Sequence, residues 1–162
     1  MARKQSINTG PVAETLAAKT LILDNGAHTI KAGFSSTSST TGPNPATDCH
    51  IIHNCIARSH RDKRTYIGPE LQECADFGEL AFRLPVEKGY IVNWESEKAI
   101  WERSFLGKEA GALRCEPDET NLVLTEAPSA PIQLQRNADE MVFEEFGFAG
   151  YARVVGLLVY TI

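Results

Sequence analysis

The sequence predicts an α/β fold with a mixed sheet and flanking helices, and three observations carry that prediction. The apolar run Leu21-Ile22-Leu23 leads into Asp24-Asn25-Gly26 and returns through Thr29 to Phe34, the pattern of a buried strand, a tight turn and a partner strand. Two later stretches space their apolar residues helically, one through Ile100, Trp101 and Phe105, the other through Met141, Val142, Phe143 and Phe146. Between them, Asn121 to Thr125 is a short apolar strand. Strands first, then helix and strand in alternation, is the order of an α/β sheet.

Taken along the chain, residues 1–19 read as a disordered N-terminal arm, since Arg3, Lys4 and Gly10-Pro11 interrupt any apolar core that a signal peptide would need. In the hairpin, Asn25-Gly26 is the dipeptide that most readily takes the positive φ angles of a two-residue turn. Ser35 to Thr47 holds no apolar residue except Ala46 and reads as a flexible loop. Cys49 to Ile56 is strand-like, with β-branched bulk at Ile51, Ile52 and Ile56, and a basic turn then leads to Thr65-Tyr66-Ile67-Gly68. Phe82 to Pro85 and Gly89 to Val92 bracket a turn. Asn93 caps a helix with Glu95 and Glu97 in its first turn, which Gly107 ends. The strand at Asn121 stops at Glu126-Ala127-Pro128. For the second helix, Asn137 and Glu140 have capping-box spacing, and Gly147 supplies the stop. No internal repeat is visible.

At 162 residues, 43% hydrophobic and 23% charged, the chain has the size and balance of one globular domain. Its net charge of -5 disfavours non-specific attachment to DNA. The basic cluster Arg58, Arg61, Lys63 and Arg64 lacks interleaved aromatics and reads as a solvated loop, so direct DNA binding is not expected. Four cysteines, Cys49, Cys55, Cys74 and Cys115, form no dense framework, which suits a reducing compartment. No run is long enough to span a membrane; even Val154 to Ile162 is short and holds Gly156. Cys49, His53 and Cys55 suggest zinc, but on one strand they spread over about 20 Å, too far to converge on one ion, and no zinc is expected. Trp94, Trp101 and Phe105 are expected to pack in the core. Glu95, Glu97 and Glu102 are expected on the solvated side of their helix, and no nucleophile with its base stands out.

The hairpin carries the chemistry. Backbone N–H groups in a tight turn can point at an anion, Asp24 at the strand end can hold a hydrated magnesium ion through water, and Lys31 can neutralise phosphate oxygens. The pattern alone leaves two readings open, because Asn-Gly hairpins are also common structural punctuation.

Several segments, taken in order, resemble the actin family: Asp24-Asn25-Gly26 with Lys31-Ala32-Gly33-Phe34, Tyr66-Ile67-Gly68, Pro85 to Trp94, Ile100-Trp101, Leu124-Thr125-Glu126-Ala127-Pro128, and Met141 to Phe146. The resemblance runs from about Thr20 to about Val155, with 156–162 a divergent tail. It implies the first two subdomains of an actin-like, ribonuclease H-like ATPase fold. It places the family's first phosphate loop on Asp24, Gly26, Ala27, His28, Thr29 and Lys31, with ATP and magnesium as the ligand. Two departures argue against hydrolysis. Ala27-His28 stands where actin is expected to carry Ser-Gly, which loses a hydroxyl and adds a ring. The water-positioning glutamine would fall near Val155, and no glutamine follows Gln135. The family's second phosphate loop is expected further along than this sequence extends, which leaves half of the cleft.

Within the family, Asn54 to Ser59, Arg61 to Arg64 and Asp76 to Glu79 look most like a nuclear actin-related branch that serves in Swr-type chromatin remodellers. That likeness implies a non-catalytic subunit of a complex that exchanges a core histone for its variant, regulating transcription while a separate subunit supplies the energy. Its partners would be the other subunits and, through the complex, histones or nucleosomes, and its location nuclear and also cytoplasmic. An actin-like ATP-binding or cytoskeletal protein, and a truncated fragment without independent function, are the alternatives. Arg58 to Arg64 and Ser35 to Thr47 are the candidate partner surfaces.

Overall fold

The computed structural model describes residues 19–35, 49–107 and 113–156. The expected arm at 1–18, most of the Ser35 to Thr47 loop and the tail at 157–162 lie outside the described residues.

Among the described residues, ten strands and two α-helices follow in chain order: β1 Lys19–Asn25, β2 Thr29–Ser35, β3 His50–His53, β4 Ile56–Ser59, β5 Thr65–Ile67, β6 Leu80–Arg83, β7 Val86–Glu87, β8 Tyr90–Ile91, α1 Trp94–Trp101, β9 Thr120–Glu126, α2 Ile132–Glu140 and β10 Gly150–Val155. The mixed sheet has the order β10-β9-β1-β2-β3. β1 pairs antiparallel with β2 and parallel with β9, which is itself parallel to β10. A small antiparallel sheet, β5-β4-β6, stands apart, and β7 and β8 form a separate hairpin. An α/β fold with a mixed sheet is therefore what these residues build.

Alternation decides which face is covered. Leu21 and Leu23 on β1, Ile30 and Ala32 on β2, and Leu122 and Leu124 on β9 are buried, while Ile22 between the leucines stays exposed. Against that face lie Ile100, Trp101 and Phe105 from α1 and the π-helical turn Glu102–Leu106 that prolongs it, with Val142 and Phe148 beyond α2. Trp101 and Phe105 are core residues, as their spacing predicts. Asn93 caps α1, its Oδ1 accepting from Ser96 N at 3.0 Å. A second, smaller core of Cys55, Ala57, Tyr66, Leu71 and Cys74 lies with the three-stranded sheet.

Several expectations need correction. The first hairpin is not a two-residue turn with positive φ: Gly26, Ala27 and His28 connect its strands, and Gly26 is not among the left-handed residues. Gly26 is needed for space, since a Cβ there would stand 2.7 Å from the Thr29 carbonyl oxygen. The left-handed two-residue turn occurs instead at Lys88-Gly89, with φ of 52° and 85°, joining β7 to β8. Lys19 belongs to β1, paired with Thr120, and not to the arm. The strand expected from Cys49 to Ile56 breaks after His53, because Asn54 and Cys55 are both buried and cannot continue its alternation. The second helix begins at Ile132, where Leu134 N and Gln135 N donate to the Pro131 carbonyl. Asn137 lies inside that helix and accepts from Gln133 Nε2, so it is no cap. Phe143 is exposed and packs edge-on against Tyr151. Most consequential, Glu97 is fully buried, not solvated.

Candidate functional site

The hairpin places its charged residues by register. Asp24 ends the buried part of β1 and lies directly opposite Lys31 on β2, so the two side chains meet, Lys31 Nζ standing 3.1 Å from Asp24 Oδ2. The other carboxylate oxygen accepts from Thr125 Oγ1 at 2.7 Å. Thr125 comes from β9, which runs parallel beside β1 and delivers its hydroxyl to the same end of the sheet. The Asp24 side chain keeps 27% of its surface exposed and that of Lys31 43%, so the pair faces solvent.

Of the other residues expected in the loop, Gly26, Ala27 and Thr29 are half-buried and His28 is exposed at the tip. The Gly26 N–H is spent within the turn, donating to Asp24 O and Thr29 O, both at 3.1 Å. The structure thus brings Asp24 and Lys31 together and adds Thr125.

Beneath the tip lies a polar cluster. Asn54, fully buried, donates from its backbone N to His28 O at 2.9 Å and from Nδ2 to Gly26 O at 2.9 Å, clasping the loop from both ends. Trp101 Nε1 donates to Asn25 Oδ1 at 3.0 Å and to Glu97 Oε1 at 2.9 Å. Burial strips water from the Glu97 carboxylate and pushes its pKa up to about 7, against the opposing pull of Asn25, Asn54 and Trp101 around it. Beside the cluster is a cavity of about 40 Å³ lined in part by Asn25, Tyr90, Trp94, Thr125 and Glu126, room for water but not for a nucleotide.

The donor set fits one side of a magnesium-bound phosphate group. Asp24 is a hard oxygen ligand that can reach the ion through water, Lys31 is a compact cation, and Thr125 fixes the carboxylate between them.

Elsewhere, the basic loop is paired with acids. Arg64 meets Glu73 at 2.7 Å and covers the Tyr66 ring at 4.8 Å, and Arg61 lies 3.8 Å from Asp76. Hydrogen bonds from Ser59 and the Arg64 backbone hold the Asp62 carboxyl below the usual range. Cys49 is exposed and Cys55 is buried, and among the described residues no three His, Cys, Asp or Glu side chains gather in a way that could hold a metal. Nor is any helix among them long and apolar enough to cross a membrane.

Sequence reasoning missed Thr125, Asn54 and Glu97. Thr125 carries no local signal, because its partner is 101 residues away. Glu97 did carry one: Glu97, Ile100, Trp101 and Ser104 lie on one helical stripe and all are buried.

Comparison with known proteins gives a consistent set of relatives. The family model described as Actin matches residues 15–158. The "Actin-related protein 6" of Neurospora crassa is 50% identical over 153 residues, covering 94% of this chain and 32% of the relative. The "Actin-like protein arp6" of Aspergillus fumigatus is 47% identical over 160 residues, covering 91% and 33%. A Dictyostelium discoideum "Actin-related protein 6" is 35% identical over 144 residues, covering 86% and 27%. The chain spans about a third of the length of these curated relatives.

Proposed function

The chain belongs to the actin family, and from that premise we propose that it is a structural, non-hydrolysing subunit of a Swr-type chromatin-remodelling complex. In this reading it helps exchange a core histone for its variant in nucleosomes and so regulates transcription, with the energy coming from a separate motor subunit. It works in the nucleus and is also present in the cytoplasm. Its partners are the other subunits of the complex and, through them, histones or nucleosomes.

The observation that carries the reading is the segment Asn54-Cys55-Ile56-Ala57-Arg58-Ser59, on which, with Arg61 to Arg64 and Asp76 to Glu79, the likeness to the remodeller branch rests. Its residues are structural: Asn54 clasps the hairpin tip, and Cys55 and Ala57 build the smaller core. The names of the relatives support an actin-related protein and go no further.

ATP with magnesium is the ligand that suits Asp24, Lys31 and the loop of Gly26, Ala27, His28 and Thr29. Binding without turnover is the expected behaviour. At the tip, Ala27 offers no hydroxyl, His28 adds a ring, and the Gly26 N–H is already engaged.

Purification of the tagged chain from nuclear extract tests the reading. Recovery of the motor subunit together with a histone variant is the expected result. A well-expressed, folded chain that returns alone overturns it, and measurable ATP turnover by the pure protein would favour an actin-like ATPase instead.

A further inference from the structure

The buried cluster beneath the hairpin leaves three side-chain polar atoms without a hydrogen bond. Glu97 and Asn54 are both completely buried and lie against each other. Glu97 Oε1 accepts from Trp101, and Asn54 Nδ2 donates to Gly26 O, but Glu97 Oε2, Asn54 Oδ1 and Asn25 Nδ2 have no hydrogen-bond partner. If Glu97 is ionised, Oε2 and Asn54 Oδ1 are both acceptors and compete for the one unpaired donor of the cluster, Asn25 Nδ2. The carboxylate would also be a buried charge without a cation, which is costly. A single proton on Oε2 removes both faults.

We propose that Glu97 is held as a neutral carboxylic acid whose Oε2–H donates to Asn54 Oδ1, making Glu97 a positioning residue for the hairpin tip. The chain of bonds then runs from Trp101 Nε1 to Glu97, from Glu97 to Asn54, and from Asn54 to the carbonyl of Gly26, with the Asn54 N–H on His28 O alongside. Each link fixes the next, so the loop conformation depends on the protonation of one side chain on α1.

The charged groups on the surrounding elements are otherwise engaged. Asp24 pairs with Lys31 on the hairpin, Glu70 with Arg103 across the two short helical turns, and Lys98 with Glu145. His28 at the tip, His53 at the end of β3, and Glu95 and Glu102 on the helix and its extension are further ionisable groups on these elements. The groups acting on Glu97 itself are Asn25, Asn54 and Trp101, all uncharged.

The sign of the pH dependence follows. The acid is pushed up to about 7 in the folded chain from an ordinary 4.5. Its contribution is fully present below about 4.5 and is lost as pH rises toward and through 7, with no further loss above that.

Thermal unfolding of the full chain and of Glu97→Gln between pH 4.5 and 8.5 tests the proposal. Glutamine mimics the neutral acid, because its amide can donate to Asn54 Oδ1 while its carbonyl accepts from Trp101. The expected result is a melting temperature that falls between pH 4.5 and 7 in the wild type, a smaller fall in Glu97→Gln, and near-coincidence of the two proteins at pH 4.5. A variant that melts lower at every pH and keeps the full wild-type fall overturns the proposal, since it would mean that Asn25 or Asn54 donates to an ionised carboxylate.

Carboxyl-carbon NMR of the wild-type chain gives a second reading that needs no variant. A Glu97 midpoint near 7, shared by the amide signals of Gly26 and His28, supports the positioning role. A midpoint in the ordinary carboxylate range, or tip amides that ignore the Glu97 titration, refutes it.

Discussion

At the scale of single residues, the site rests on Asp24, whose two oxygens are divided between Lys31 and Thr125. The two bonds are not equal. Lys31 is a solvent-facing partner, and exposed ion pairs contribute little because water screens them and two long side chains must be ordered. Thr125 donates a short, charge-assisted bond at 2.7 Å from a strand that is already fixed, so its ordering cost is already met. Thr125→Val keeps the shape and removes the donor. It is expected to destabilise the chain by about 1.5–3 kcal/mol, the usual worth of a hydrogen bond to a charged group. Urea denaturation checks this, and a loss no larger than that of a typical surface substitution would show that Asp24 finds another donor.

At the scale of elements, α1 positions the polar cluster, and its start is fixed by Asn93. The cap accepts from Ser96 N, and Glu95 in the first turn complements the helix dipole. Asn93→Ala is expected to cost about 1 kcal/mol in equilibrium denaturation. It should also weaken amide protection across Ser96 and Glu97 more than in the β-sheet, because the lost bond is local to the helix start. Uniform loss of protection across the chain would contradict this. This cap was legible in the sequence because everything it needs lies within three residues. The β1–β2 pairing was legible for the same reason. By contrast, Asn137 and Glu140 satisfy the capping-box spacing inside a helix that Pro131 had already started, and spacing alone cannot tell a cap from an interior turn. Glu97 reads as solvated because charged residues on a helix usually are; the polar side chains that act on it in the interior, Asn25 and Asn54, approach from other elements. Half of the Asp24 environment could be read from the hairpin, whereas the Thr125 half depends on the parallel pairing of β1 with β9.

At the scale of the whole molecule, the hairpin tip joins the two cores. Its strands carry Leu21, Leu23, Ile30 and Ala32 in the main core, and Asn54, which bonds to its loop from between β3 and β4, is followed directly by Cys55 in the smaller one. A ligand that favours this tip therefore stabilises the arrangement of both cores and should raise the whole unfolding transition. A ligand at a hundred times its dissociation constant adds about 2.7 kcal/mol to the stability of the state that binds it. MgATP is thus expected to shift the wild-type melting curve upward as one transition. The shift should shrink sharply in Lys31→Ala, which loses the cation at modest cost in stability because a solvent-facing ion pair contributes little. Chelation of magnesium should reduce it as well, since in the proposed site Asp24 would reach phosphate only through the ion. Differential scanning fluorimetry with ATP, with ATP and chelator, and with Lys31→Ala separates these terms. An equal shift in Lys31→Ala would move nucleotide binding away from the hairpin. A cooperative wild-type transition that MgATP leaves unchanged would make Asp24, Lys31 and Thr125 a structural clamp between β1, β2 and β9, and the proposed scaffold role would then stand without a nucleotide.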